Sequence, residues 1–143
     1  MDEHEVPRRV ARWYPLAAFA SLAVTALGCL GLVMHVLTDP ATLPLDQRAL
    51  FEAEPQWVLA ASAIGFVAGL FGSLLLVLKR VAAERAMLIS LIGMAVWFAG
   101  MFATSEFRAL LSTDDIALLV AIVAIVWTIY WFARRSRQRG WLG

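Results

Sequence analysis

Long apolar runs separated by short polar stretches organise this chain from end to end. LAAFASLAVTALGCLGLVMHVL covers residues 16–37 and WVLAASAIGFVAGLFGSLLLVL covers 57–78. AMLISLIGMAVWFAGMFAT covers 86–104, and IALLVAIVAIVWTIYWFA covers 116–133. None contains Asp, Glu, Lys or Arg. A helix crossing a hydrocarbon core of about 30 Å needs roughly 20 residues, with a range of about 17–25. All four runs meet that length. Strands of this length would leave backbone groups unpaired in lipid and exceed what a barrel strand requires. The pattern therefore predicts an all-α membrane protein, an antiparallel bundle of four transmembrane helices forming one domain over 1–143.

A soluble fold fits poorly. A domain of 143 residues cannot bury four uniformly apolar helices, and none of the runs has a polar stripe wide enough for water. Charged residues are 16% of the chain, below the roughly 25% usual for soluble domains. The connector 79–85 makes the second and third helices antiparallel neighbours, and 105–115 does so for the third and fourth.

The balanced net charge of +1 conceals a sorting by sign. Arg8, Arg9 and Arg12 precede the first run, Lys79, Arg80 and Arg85 separate the second and third, and Arg134, Arg135, Arg137 and Arg139 follow the fourth. Only Arg48 and Arg108 lie in the other connectors, beside Asp39, Asp46, Glu52, Glu54, Glu106, Asp114 and Asp115. By the positive-inside rule both termini are expected in the cytoplasm, in a multi-pass protein of the bacterial inner membrane. A cleavable signal peptide is the rival reading of the N-terminus. The first run outlasts a usual h-region of about 7–15 residues, and the residues before Gly28-Cys29 fit a lipoprotein box poorly. Cys29 then reads as a small apolar packing residue.

The longest polar stretch, LTDPATLPLDQRALFEAEPQW (37–57), falls outside by this topology. Pro44 and Pro55 bracket a short amphipathic helix at about 45–54, with Leu45, Ala49 and either Phe51 or Ala53 turned to the membrane surface. Two residues of turn would join the spans, so the extra length marks a lid or a structural cap over the bundle. Candidate contacts at this outer mouth are His35, Asp39, Asp46, Arg48, Glu52 and Glu54. His35 is expected to bond a loop carbonyl or Asp39, or to act as a pH-sensitive or ligand-contacting group. Asp39-Pro40 helps terminate the first helix.

Several chemistries lack their residues. One cysteine excludes an intrachain disulfide and thiolate-rich metal sites, and two histidines, His4 and His35, are too few for most imidazole clusters. A two-histidine haem site cannot be built from the spans, which also lack the ionisable residue that proton-coupled transport uses. No metal, cofactor, nucleic-acid partner or enzymatic activity is expected. The second run carries Gly65, Gly69, Gly72 and Ser73 near one face, at spacings that let another backbone approach; packing within the bundle and a homodimer seam both fit. Gly93 and Gly100 suit the same kind of contact. Trp13, Tyr14, Trp57, Tyr130 and Trp131 read as interfacial anchors, whereas Trp97, Phe98 and Trp127 lie deeper. The basic tail suits anionic headgroups.

RRVARWYPLAAFASL, LTDPATLPLDQRALFEAEPQWV and WFARRSRQRGWL together resemble a group of small four-span bacterial inner-membrane proteins, some of them labelled sugar transporters. The resemblance spans nearly the whole chain and is most specific over 38–58. It implies solute movement and carries no defined catalytic or substrate-binding residues. The expectation is permease-like movement of a small solute such as a sugar, in contact with the lipid bilayer and in a homo-oligomer or with a membrane partner. The alternative is a non-transporting assembly or regulatory subunit.

Overall fold

The computed structural model describes residues 9–143, so His4 and Arg8 lie outside the described residues. Among the described residues six α-helices follow one another: α1 Tyr14–Leu37, α2 Leu45–Ala53, α3 Gln56–Val77, α4 Ala82–Ala103, α5 Ser105–Leu110 and α6 Thr113–Gln138. Four of them, α1, α3, α4 and α6, are long and apolar enough to cross a membrane. The protein is an all-α bundle of four spans.

Proline punctuates the first half. Pro15 sits in the first turn of α1, where its missing N–H is no loss. Pro40 opens a single 3-10 turn, Pro44 precedes α2, and Pro55 caps α3. The second half uses other devices. Lys79 takes a left-handed conformation at φ 55° in the turn between α3 and α4. Ser112 caps α6 through a reciprocal box: its hydroxyl accepts from the Asp115 N–H, and the Asp115 carboxylate accepts from the Ser112 N–H.

Two helices extend well beyond their apolar runs. The third span begins at Ala82 rather than 86, taking in Glu84 and Arg85, and the fourth runs from Thr113 to Gln138 rather than 116–133. An apolar run marks only the part of a helix sized for hydrocarbon, and charged turns extend it at each end. The connector 105–115 holds the short helix α5, which no periodicity in six residues would reveal.

The core is the α3–α4 seam. Gly72, Gly69 and Gly65 meet Met87, Ser90 and Met94 in antiparallel order. Gly93 returns the fit, its missing side chain leaving room for backbone of Gly65 and Ala61. The glycine face is thus occupied within the chain rather than presented to a second copy. Ser73 on the same face is wholly buried. The Ser90 hydroxyl crosses the seam and donates to the Gly65 carbonyl at 2.6 Å.

α1 packs on α3, and α6 on α4, but α1 and α6 scarcely approach one another. The four spans therefore stand as an open array, with a cleft between the first and last. At the basic end the cleft is shut by aromatic packing. Tyr14 and Trp13 lie against Phe132 and Trp141, with ring centroids 5.4–5.9 Å apart. The Tyr14 hydroxyl donates to the Leu76 carbonyl at 2.6 Å. Gly143 bonds back to the α3–α4 turn, its N–H to the Lys79 carbonyl and its carbonyl from the Val81 N–H.

Candidate functional site

At the acidic end the cleft widens into a cavity of about 450 Å³. Its walls come from α1 through Gly28, Leu32 and His35, and from α6 through Asp115, Leu119 and Ile122. Its back is Ser62 and Phe66 of α3 with Trp97 and Met101 of α4. Gln47, Leu50 and Phe51 of α2 and Phe107 of α5 form the roof, and these two short helices touch each other. The polar stretch between the first two spans thus covers the mouth of the cleft.

On α2, Leu45 is 84% exposed, as a residue turned to the membrane surface would be, whereas Ala53 packs with Leu50 against the core. Phe51 lies against the His35 ring at 4.6 Å between centroids. The turn after Pro44 starts the helix at a rotation that hydrophobic spacing over nine residues cannot specify.

His35 bonds neither Asp39 nor a loop carbonyl. Its Nε2 lies 2.7 Å from Glu54 Oε2, and the Glu54 side chain is only 9% exposed. The pair ties the last turn of α1 to the end of α2, across nineteen positions of chain. Of the six candidate mouth residues, His35 and Glu54 line the cavity, whereas Asp39, Asp46, Arg48 and Glu52 do not. Asp39 accepts from the Ala41 N–H at 3.0 Å and shapes the 3-10 turn. Asp46 lies in the first turn of α2, where a carboxylate suits the helix dipole. Arg48 and Glu52 form an exposed i,i+4 pair at 2.9 Å; the hydrogen bond and then the charge of Glu52 push the Arg48 pKa up.

Other lining residues were not candidates on sequence. Asp115 had a legible signal, since Ser112 three positions earlier makes a capping box. Gln47, Ser62 and Phe66 had none. Trp97, read as a deep indole, lines the cavity with Phe66 at 6.4 Å between rings, while Phe98 and Trp127 border a separate surface groove.

Below the mouth the cleft continues as a second cavity of about 300 Å³, sharing Gly28, Phe66 and Ile122 with the first. It is apolar: Val24, Leu27, Ile125, Val126 and Ile129 dominate its lining. Thr25 and Ser90 also reach it, with hydroxyls bonded to the Ser21 and Gly65 carbonyls. Polar groups are therefore gathered at one end and apolar surface at the other. Among the described residues no group of three His, Cys, Asp or Glu side chains is placed to hold a metal ion. The chain matches no protein-family model, no curated protein and no solved structure.

Proposed function

We propose that this small multi-span membrane protein is permease-like, taking a small solute into the cleft between α1 and α6 from the side that bears the acidic loops. The carrying observation is the asymmetry of the cleft, which is roomy beneath α2 and shut by Tyr14, Trp13, Phe132 and Trp141 at the basic end. With the basic end cytoplasmic, as the charge sorting favours, this is an outward-facing arrangement in the inner membrane. Cavities of about 300–1,000 Å³ with a few polar groups on apolar walls are the usual form of small-molecule sites. His35 and Glu54 are the polar contacts supplied by the first span and the segment that follows it. Solute movement then requires the aromatic closure to part while α2 settles over the mouth.

The test is uptake by reconstituted liposomes, offered a panel of sugars, amines and amphiphiles. One class should accumulate above protein-free vesicles, and Ile122→Trp, which fills the junction of the two cavities, should abolish the excess. Absence of both binding and flux across the panel contradicts the proposal.

A non-transporting assembly subunit is the second reading, favoured by α1. Only 17% of its apolar window is buried, the smallest share of the four spans, and a partner helix would cover that strip. Crosslinking in native membranes separates the two: this reading requires a distinct partner attached along α1.

A further inference from the structure

The chemistry of the cleft narrows the class of solute. Glu54 and Asp115 are the acidic groups on the cavity wall, His35 is the one group there that can become positive, and neither Lys nor Arg is among its described lining residues. Each carboxylate is engaged through one oxygen. Glu54 uses Oε2 on His35, and Asp115 uses Oδ2 on the Ser112 N–H and hydroxyl. Glu54 Oε1 and Asp115 Oδ1 make no hydrogen bond among the described residues, so each carboxylate keeps an oxygen open to a positively charged ligand. A carboxylate as shielded as Glu54 gains from a positive ligand group, because burial in weakly polar surroundings raises the cost of an incompletely compensated charge.

Deeper in, the cleft offers a polar ligand no free donor and only the hydroxyl lone pairs of Thr25 and Ser90 as side-chain acceptors. The hydroxyls of Thr25 and Ser90 donate to backbone carbonyls. A free sugar reaching that depth would set unpaired hydroxyl groups against Ile122, Ile125 and Val126, at a cost of roughly 1–3 kcal/mol each. The cleft is also open sideways, since Val24, Leu27 and Ile125 at its lips are 43%, 66% and 44% exposed. A chain lying between α1 and α6 can slide in from the lipid without passing beneath α2.

We propose that the cleft binds a single-chain amphiphile with a cationic ammonium head, held at Glu54 and Asp115, with its alkyl chain lying between α1 and α6. The proposal rests on the outward-facing cleft described above and names its ligand. Charge complementarity selects the head, and an anionic head of equal chain length is rejected by the same two carboxylates. The apolar cavity selects the chain. Removing one methylene should weaken binding about fourfold, equivalent to about 0.8 kcal/mol per buried CH₂.

The experiment uses the full chain in phosphatidylglycerol nanodiscs, whose lipid carries no ammonium group. A decyltrimethylammonium bearing a diazirine on its chain is photolysed, and adducts are mapped by mass spectrometry, with labelling of lipid-facing peptides as the background. Saturable adducts are expected on the α1 and α6 segments around Leu27 and Ile125. Unlabelled decyltrimethylammonium should compete and decyl sulfate should not, each at equal occupancy of protein-free discs. Glu54→Gln should weaken labelling about tenfold or more, the loss of one charge pair in a shielded site. Ile122→Trp, which touches neither carboxylate, should remove it. Should Glu54→Gln fail to give a folded, monodisperse protein, Ile122→Trp and the decyl sulfate competition decide the matter. Equal competition by decyl sulfate, or labelling unchanged in a folded Glu54→Gln or in Ile122→Trp, overturns the proposal. Protection of a Ser62→Cys thiol by a sugar but not by the ammonium overturns it while leaving the permease reading intact. Protection by no probe of any class overturns both.

Discussion

Gly93 has no side chain where α4 lies against the backbone of α3, and that absence sets how the core closes. A methyl group there would stand 2.9–3.1 Å from the Gly65 N and Cα and the Ala61 carbonyl, all backbone atoms with no rotamer to change. Gly93→Ala should therefore destabilise the protein by about 1–3 kcal/mol, as overpacking does. Gly31→Ala, with nothing within 4 Å of the added atom, should fall within about 0.5 kcal/mol of the parent. Unfolding in mixed micelles with increasing dodecyl sulfate measures both. At the basic end Tyr14→Phe removes the donor to the Leu76 carbonyl and should cost about 1 kcal/mol in the same titration. The glycine face was legible because spacing of three and four puts Gly65, Gly69 and Gly72 together. Its partner was not, since periodicity says which face is smooth and not which helix lies on it. The His35–Glu54 pair was likewise hidden, because it exists only once α2 has folded back over the end of α1.

Two helices at the acidic end separate two kinds of polar interaction. Ser112 and Asp115 satisfy the first N–H groups of α6 in a closed box, and Ser112→Ala should cost about 1 kcal/mol of stability. The Arg48–Glu52 pair on α2 is exposed on both sides, so Arg48→Ala should leave the unfolding midpoint and any ligand affinity unchanged, since such pairs contribute little. That contrast tests the assignment of Arg48 and Glu52 to the surface of the roof rather than to the cleft. The existence of four long helices was readable from run length alone, because hydrocarbon thickness fixes how many apolar residues a span needs. The rotation of α2 and the presence of α5 were not. Nine and six residues carry too few turns for a periodic signal, and their orientation follows from Pro44, Pro55 and contacts with the bundle.

Across the whole molecule, the arrangement is an open row of spans, closed by aromatics at the basic end and roofed by α2 and α5 at the acidic end. The loops revealed the charge asymmetry between the ends; the cleft between the first and last spans is a property of packing that no single segment encodes. If the acidic loops face outward, Asp46→Cys in a Cys29→Ala background should react with a membrane-impermeant thiol reagent in intact cells. Reaction only in inverted vesicles contradicts that orientation. The same background tests whether, of the two ends of the cleft, only the acidic one admits water. Cysteines are placed at Ser62 and Ile122, within the cavity, and the impermeant reagent is added to one face of sealed vesicles at a time. Both should react from the face where Asp46→Cys reacts and be protected from the other. Reaction from the basic face, or from neither face while Asp46→Cys is labelled, contradicts it.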